Sequence, residues 1–132
     1  MSGDSFNYTI SLGSVNGSYD SNVEIPVEIL NGTDFRNLTQ TFSYNFSILK
    51  FDGVVNDLSS GNVSFSWQNL TNGIVRVVGI GPFIIPFSST VLYYLNFTPI
   101  IKNDIKFNVL LDGSTIGGKQ YLFQSTSTVE LT

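Results

Sequence analysis

Apolar and polar residues alternate along five segments of this 132-residue chain. A period of two places successive side chains on opposite faces of a β-strand, so each segment predicts a strand with one buried and one wet face. The alternating segments are residues 6–12, 23–29, 42–48, 63–67 and 105–111. Tyr8 and Trp67 fall on the apolar side of this pattern and are expected in the core. No segment shows the helical period of 3.6 over three turns.

Two further segments, residues 74–80 and 91–97, are nearly continuous apolar runs, which predict central strands or strands covered on both faces. Turn dipeptides separate the segments at intervals of about 8–12 residues, the spacing of a sandwich or barrel. These dipeptides are Asn16-Gly17, Asn31-Gly32, Asp52-Gly53, Ser60-Gly61, Asn72-Gly73, Asp112-Gly113 and Gly117-Gly118. We therefore predict an all-β chain in which residues 1–132 form a single-domain β-sandwich of about nine strands.

Prolines interrupt two of the apolar patterns. Pro26 lies inside the second alternating segment, and because proline has no amide donor, that strand is expected at a sheet edge or bulged there. The very apolar tract 79–87 contains Pro82 and Pro86, which oppose an ordinary strand interior. This tract either forms an exposed contact surface for a partner or closes one open end of the sandwich over the core. We favour the second interpretation.

The side chains that most enzymes use for acid–base and metal chemistry are missing. The chain has no histidine and no cysteine, which excludes imidazole bases, thiolate nucleophiles and the commonest transition-metal ligands. Glu24 and Glu28 would lie about 13 Å apart along one strand, farther than the roughly 5–9.5 Å of a glycosidase pair. The aspartates of predicted loops match no calcium-loop spacing; they are Asp52, Asp57, Asp104 and Asp112. We expect no enzymatic activity, no metal and no cofactor.

The charge pattern narrows the choice of partners. Charged residues make up only 12% of the chain, and the net charge is −4. The six lysines and arginines are scattered, so they form no basic patch for nucleic acid or for an anionic membrane surface. No run of about 18 apolar residues could span a bilayer, so no membrane insertion of this segment is expected. The chain does not start with a signal peptide, and a targeting signal is expected outside this segment.

Asn-X-Ser/Thr sequons, the acceptors of N-linked glycans, are frequent. Ser and Thr make up 28 of 132 residues, so chance predicts about three sequons among thirteen asparagines, whereas eight occur. They begin at Asn7, Asn16, Asn31, Asn37, Asn45, Asn62, Asn69 and Asn96. Strand faces rich in Asn, Ser and Thr generate part of this excess by composition alone. We favour real glycosylation, which predicts an extracellular or cell-surface protein.

The order of these segments resembles that of cohesin modules. Gly13-Ser14-Val15 followed by Val23-Glu24-Ile25-Pro26-Val27 is similar to their opening two strands, which carry a V-x-V/I-P-V pattern. Residues 42–47 and 49–54 resemble their third and fourth strands, residues 73–77 the sixth and residues 91–97 the seventh. The resemblance spans nearly the whole chain and implies a nine-stranded jelly-roll sandwich.

Cohesins bind dockerin domains through the sheet made of their third, fifth, sixth and eighth strands. The resemblance therefore implies a non-catalytic protein–protein interaction module whose partner is a dockerin-type protein. The corresponding face would expose Thr41, Ser43, Asn45, Ser47, Ser64, Ser66, Gln68, Arg76, Lys106, Asn108 and Leu110. Asn45 and Asn62 carry sequons on or beside that face, where glycans would block a flat partner.

Two alternative functions remain open. A subunit of a glycosylated surface layer or filament could insert an end strand, such as residues 6–12 or 128–131, into the sheet edge of a neighbouring copy. A carbohydrate-binding module would need exposed aromatic side chains in a line, and the candidates are Tyr19, Tyr94 and Tyr121. The dockerin-type interaction is the function that we favour.

Overall fold

The computed structural model describes residues 9–30, 35–56, 63–83, 90–102, 104–116, 119–121 and 125–131. Within these ranges the chain forms eleven β-strands and no helix that could cross a membrane. The strands are β1 (Thr9–Leu12), β2 (Val15–Gly17), β3 (Val23–Leu30), β4 (Phe35–Ser43), β5 (Leu49–Asn56), β6 (Ser64–Thr71), β7 (Ile74–Phe83), β8 (Thr90–Pro99), β9 (Ile105–Ile116), β10 (Lys119–Tyr121) and β11 (Ser125–Leu131). Nine of them have four or more residues, whereas β2 and β10 have three each.

The strands form two sheets. The small sheet has the order β1–β3–β8–β5, and the large sheet has the order β2–β11–β9–β4–β7–β6, with β10 paired to β9. All pairs are antiparallel except β11 with β2. The chain passes repeatedly from one sheet to the other, as in a jelly roll. The predicted all-β sandwich with jelly-roll topology is confirmed.

The apolar positions of the alternating segments meet between the two sheets. On β3, Val23, Ile25, Val27 and Ile29 are at most 2% exposed, whereas Glu24 points outward and is exposed. Burying each such aliphatic side chain stabilises the fold by about 1.5–3 kcal/mol relative to its exposed state. A slip of one residue would turn all four to solvent, so this pattern fixes the register of β3.

The two continuous apolar runs are central strands, as predicted. β7 lies between β4 and β6, and β8 lies between β3 and β5. On β7, however, only the inner side is fully buried: Val75 and Val77 face the core and Arg76 is exposed. The remaining aliphatic side chains of β7 therefore lie on the outer face of the large sheet.

Pro26 lies where the first strand leaves the small sheet. β1 pairs with β3 as far as Leu12 opposite Val27, and the Gly13 amide then donates to the Pro26 carbonyl at 3.0 Å. The N–H and C=O groups of one strand residue point to the same side of the strand. The Pro26 nitrogen therefore points toward Gly13, where β1 has already ended and no further β1 residue needs its hydrogen. β3 shifts register between Val27 and Glu28. The extra residue at this shift is Leu92 on β8, so β8 is the bulged strand, and β3 is neither bulged there nor an edge strand.

The third alternating segment ends earlier than its pattern predicts. β4 stops at Ser43, and the chain turns at Asn45, whose side-chain oxygen accepts a hydrogen bond from the Ser47 amide at 2.9 Å. The Asn45 backbone carbonyl accepts two further hydrogen bonds, from the amides of Ile48 and Leu49, each at 3.0 Å. These bonds give the backbone an alternative to the sheet ladder. The expectation of a strand as far as residue 48 is therefore wrong, and Phe46 is exposed.

Three polar side chains form a buried cluster between the sheets. Gln40 on β4 is fully buried, and its Nε2 donates to the Ser114 hydroxyl on β9 at 3.1 Å. The hydroxyl of Tyr93 on β8 donates to Gln40 Oε1. This cluster links the large sheet to the small sheet, and burial raises the pKa of the Tyr93 phenol well above its usual range.

Candidate functional site

Four neighbouring strands, in the order β9–β4–β7–β6, build most of the outer face of the large sheet. Their registers arrange the outward side chains in rows across the face. One row contains Gln68, Arg76, Thr41 and Gly113, and the next contains Ser66, Val78, Thr39 and Thr115. Side chains alternate along each strand, so these residues share the side away from the core.

A shallow depression of about 500 Å³ lies in the middle of this face. The β4–β9 pairing shifts register beside Thr41, and Asp112 is the extra residue of the resulting bulge. Gly113 follows, and its missing side chain leaves space between the strands. The depression is lined by Thr39, Thr41, Arg76, Val78, Asp112, Gly113, Ser114 and Thr115. The depression thus combines hydroxyl groups, the Arg76 guanidinium and the Asp112 carboxylate around the aliphatic side chain of Val78.

The two charged residues of the depression differ in their surroundings. Arg76 is exposed, and it takes part in neither of the two ion pairs of the described residues, one within β5 and one between β9 and β11. Asp112, on the other side of β4, already accepts a hydrogen bond from the Ser43 hydroxyl. Among the described residues, therefore, the Arg76 guanidinium has no carboxylate within 4.0 Å, and it is free to meet one on a partner.

The predicted face residues fall into two groups. One group lies together on the outer sides of β4, β6 and β7, with Gln68 opposite Arg76; it comprises Ser43, Ser64, Ser66, Gln68 and Arg76. Lys106 and Asn108 also point outward, but their cross-strand neighbours are on β11. The β4–β9 pairing begins only at Leu110, so these two residues lie beyond the end of β4. Asn45 lies in the turn after β4, at the rim of the face.

Sequence reasoning missed the aliphatic side chains of this face. Ile80 is 58% exposed and lies opposite Asn37 on β4 and Ser64 on β6. Ile74 and Val78 share the same side of β7. The apolar character of both sides of residues 74–80 was the available signal. It could not distinguish a strand covered on both faces from a strand with a solvent-facing apolar side.

The proline-containing tract 79–87 contributes to both the core and the surface. Its first five residues end β7, where Ile80 points to solvent and Phe83 is fully buried. Phe83 packs against Phe65 with ring centroids 5.8 Å apart. Residues 84–87 of the tract lie outside the described residues.

The sequons are spread over both sheets. The side chains of Asn16, Asn37, Asn45 and Asn69 are exposed. Asn96 is half-buried on the small sheet, and its Oδ1 has no hydrogen-bond partner among the described residues. Asn7, Asn31 and Asn62 lie outside the described residues. Because Asn37 stands opposite Ile80, a glycan there would project from the same face as the aliphatic side chains.

The aromatic candidates for sugar binding do not form a described platform. Tyr19 is exposed, with Lys102 Nζ 4.9 Å from its ring centroid. Tyr94 is half-buried on the small sheet, opposite Pro26, and the side chain of Tyr121 lies outside the described residues. Of the two aromatic residues expected in the core, Tyr8 lies outside the described residues and Trp67 is instead 43% exposed. It lies on the inner side of β6, but β6 ends the sheet, and no strand among the described residues covers it from beyond.

Two of the described aspartates have hydrogen-bond partners within the chain. Asp52 accepts a hydrogen bond from the Thr98 hydroxyl and lies 3.9 Å from Lys50 Nζ. Asp112 accepts the bond from Ser43. Within the described ranges, no three His, Cys, Asp or Glu side chains come together in a group that could hold a metal ion.

The comparisons with known proteins agree on one family. The family model for the cohesin domain matches residues 8–128. The fold is similar to that of a cohesin module from a family 33 glycoside hydrolase of Clostridium perfringens, with 18% identity, a TM-score of 0.77 and 96% of each chain covered. A search of the curated proteins gave no match.

Two further solved structures are similar over most of their length. One is a type I cohesin–dockerin complex from Clostridium thermocellum, with 12% identity, a TM-score of 0.74, and coverage of 96% of this chain and 99% of the other. The other is a non-cellulosomal cohesin from the hyperthermophilic archaeon Archaeoglobus fulgidus, with 21% identity, a TM-score of 0.71, and coverage of 96% and 91%. At these identities the likeness establishes the fold.

Proposed function

This chain belongs to the cohesin domain family, and we propose on that basis that it is a non-catalytic protein–protein interaction module that binds a dockerin-type partner. The family model covers nearly all of the chain. Several of the similar structures are cohesins in complex with dockerins, among them one from Clostridium thermocellum and one from Acetivibrio cellulolyticus. The absence of histidine and cysteine from the sequence supports a binding role over a catalytic one.

The observation that carries the proposal is the composition of the outer face of the large sheet. Val78 and threonine hydroxyls line its central depression together with Arg76 and Asp112, and the exposed Ile80 lies two residues further along β7, beside Asn37 and Ser64. Protein interfaces commonly have an apolar, charge-poor centre and a polar rim. The outer face of the small sheet carries Glu24, Glu28 and Lys50, whereas Lys106 and Glu130 of the large sheet pair with each other on β9 and β11, away from β7 and β6. The large sheet is therefore the better docking surface.

Arg76 supplies the specific polar contact of this face. An arginine can hold a carboxylate through two parallel hydrogen bonds, which fixes geometry as well as charge. The Arg76 guanidinium has no carboxylate within 4.0 Å among the described residues. We expect the partner to place an acidic side chain over the depression beside β4. Arg76→Gln should therefore weaken binding and reduce its dependence on salt concentration.

Matched substitutions on the two sheets test the proposed face. Ile80 on the large sheet and Val55 on the small sheet are both exposed aliphatic residues, so Ile80→Asp and Val55→Asp should both leave the fold intact. Binding is measured by titration calorimetry against dockerin modules encoded in the same genome. We expect Ile80→Asp to weaken binding at least about tenfold, or ~1.4 kcal/mol, and Val55→Asp to have no effect.

The outcomes separate the function from the face. Loss of binding with Val55→Asp alone would show that the module docks through its small sheet. If no dockerin module binds the unmodified protein, the proposed function is wrong, whichever face is altered.

We further propose that the protein acts outside the cell or at its surface and carries N-linked glycans. The four exposed sequon asparagines support this, since an acceptor side chain must reach the transferring enzyme. A glycan at Asn37 would stand beside Ile80 and exclude a partner from the large sheet. Mass spectrometry of protein isolated from its natural source tests both statements. Full occupancy of Asn37 would contradict docking at the large sheet, and bare asparagines throughout would remove the glycosylation proposal.

Self-assembly through the end strands has little support from the observed pairing. β11 is paired on both sides, with β9 and with β2, so exchanging it would break two ladders. The first strand continues from β1 into β2, and serines of β11 hold the crossover between them. The Ser125 hydroxyl accepts a hydrogen bond from the Leu12 amide at 3.1 Å, and the Ser127 hydroxyl donates one to the Gly13 carbonyl at 2.6 Å. Exchange of the first strand would break these bonds as well.

A further inference from the structure

Edge strands expose unpaired backbone groups, and natural proteins usually protect them with charges, prolines, bulges or short length. Within the part of the chain that the structure describes, the strands paired on one side only are β1, β2, β5, β6 and β10. β1, β2 and β10 have only three or four residues. β5 has eight residues but carries Lys50 and Asp52 and a register shift between Phe51 and Gly53.

β6 is the exception among these edges. Its eight residues, Ser64–Thr71, include no charged residue and no proline. It pairs with β7 without a register shift from Ser64 to Asn69, and the irregularity comes only at the hairpin end. No other strand among the described residues pairs with its outer edge. Among the described residues, β6 is thus a long and regular edge without a protecting charge, proline or neighbouring strand.

The inner side of β6 is also incompletely covered. Phe65 packs on the core, 4.8 Å from Tyr93 and 5.8 Å from Phe83 between ring centroids. Trp67 meets Phe51 edge to face at 5.0 Å but remains 43% exposed. A strand added beyond β6 would cover this indole and satisfy the free backbone groups at the same time.

We propose that β6 is a self-association edge, on which the β6 strand of a second copy of this chain pairs antiparallel about a two-fold axis. Self-pairing brings identical sequences together, so any charge near the axis would face its own copy. β6 carries none, whereas β5 carries Lys50 and Asp52, charges of the kind that protect an edge strand. The inference is independent of dockerin binding, and it replaces exchange of the end strands as the route to self-assembly. It requires that Asn69, the sequon asparagine on β6, carries no glycan.

The side-chain alternation of β6 restricts the register of the pair. Residues directly opposite each other point to the same side of a sheet, so inner residues must face inner residues if the two large sheets are to join. A two-fold axis through Ser66 meets this condition. It sets Ser66 opposite the second copy's Ser66, Phe65 opposite Trp67 and Ser64 opposite Gln68. Aromatic then faces aromatic on the inner side and polar faces polar on the outer side, which are favourable cross-strand pairs.

An axis through Trp67 also keeps the sides matched but is less favourable. It sets each Phe65 opposite Asn69, so both Phe65–Trp67 aromatic pairs of the register through Ser66 are lost. The register through Ser66 is therefore the one that we predict. Joining the sheets in this way leaves the outer faces of both copies open on the same side, so the dimer would offer two docking faces to partners.

Single cysteines test the pairing directly, because the chain has no cysteine of its own. In the predicted register, Ser66→Cys places two thiols on opposite residues with Cα atoms about 4.5–5.5 Å apart, within the range of a disulfide. With oxidised glutathione as the electron acceptor, we expect a covalent dimer on non-reducing gels. Gln68→Cys is the matched control on the same strand and the same side. Its two copies would lie about 13 Å apart and stay unlinked.

Charge substitution tests the same contact without a covalent bond. The unmodified protein should sediment faster as its concentration rises from about 10 µM to about 1 mM, since one strand pair buries less than a standard interface. Ser66→Lys and Ser66→Asp should each sediment as a monomer over the whole range. An equimolar mixture of the two variants should restore the dimer, which misfolding of either variant could not do. Thr126→Lys, on the outer face of β11, should leave dimerisation unchanged.

The proposal is overturned by a sedimentation coefficient independent of concentration together with no cross-link in Ser66→Cys. A cross-link in Gln68→Cys but not in Ser66→Cys would overturn the predicted register. Because neither experiment contains a dockerin, their results leave the proposed docking function untouched.

Discussion

Removal of one hydroxyl group from the core tests how the buried polar cluster contributes to stability. In Tyr93→Phe the ring keeps its packing, including the edge-to-face contact with Phe42 at 6.4 Å. Only the donor to Gln40 Oε1 disappears. Because Gln40 is fully buried, no bulk water replaces that donor. The substitution therefore isolates the cost of one unsatisfied buried acceptor.

The expected cost follows from that desolvation. Leaving a buried acceptor unpaired costs about 1–3 kcal/mol. With an unfolding entropy of about 2.1 cal/mol/K per residue, the 132 residues give about 0.28 kcal/mol/K. A loss of about 2 kcal/mol should then lower the melting temperature by about 7 °C. Chemical unfolding in urea should show a lower midpoint with an unchanged slope, because the exposed surface is the same.

A triple variant supplies the control. Gln40→Leu with Tyr93→Phe and Ser114→Ala removes every polar group of the cluster, so no acceptor is left unpaired. We expect it to be more stable than Tyr93→Phe alone, since replacing both partners of a buried hydrogen bond by apolar groups costs little. An unchanged melting temperature in Tyr93→Phe, or a triple variant less stable than that single one, would refute this reasoning.

Three further predictions concern pH and single contacts. The folded protein keeps the Tyr93 proton after the unfolded chain has lost it, because burial raises the pKa of the folded phenol. The free energy of unfolding should therefore be at its full value below about pH 10 and should fall as the pH rises above it. Urea unfolding at a series of pH values measures this fall, which should be less steep in Tyr93→Phe. Gly73 has a φ of 81°, and an added Cβ would lie 2.7 Å from the Tyr44 carbonyl oxygen. Gly73→Ala should cost at least about 1–2 kcal/mol in urea unfolding. Ser127→Ala removes the buried donor to the Gly13 carbonyl and should cost about 1 kcal/mol, with faster amide exchange in β1 and β2.

Strand positions and inner faces could largely be predicted from the sequence, because burial on one side of a strand leaves a local period of two. β3 shows this well, with all four of its inner residues on the expected side. The end of β4 could not be predicted in the same way. Phe46 continues the apolar alternation, but the hydrogen bonds of Asn45 turn the backbone before it. A local polar contact prevailed there over the hydrophobic pattern.

The docking face was harder to predict than the fold, because a face depends on strand order and register. Gln68 and Arg76 come together as expected, since they lie on a hairpin. Lys106 and Asn108 have the right alternation but lie beyond the end of β4, which depends on a pairing between distant segments. Asp112 enters the depression only because a bulge turns it there. No periodicity in the sequence marks such a bulge.

Trp67 shows how position in the sheet changes the meaning of a side chain. Alternation places it on the inner side of β6, and that assignment is right, since the ring contacts Phe51 across the sandwich. Its exposure arises from the strand order, in which β6 is last. A side chain on the inner side of a central strand has neighbours on both flanks, whereas one on an edge strand has a neighbour on one flank only. The sequence of β6 carries none of the charges that would mark it as an exposed edge. Either β6 acquires a neighbouring strand in a second copy, or the protein tolerates an uncharged and half-covered edge, and the Ser66→Cys cross-link distinguishes the two.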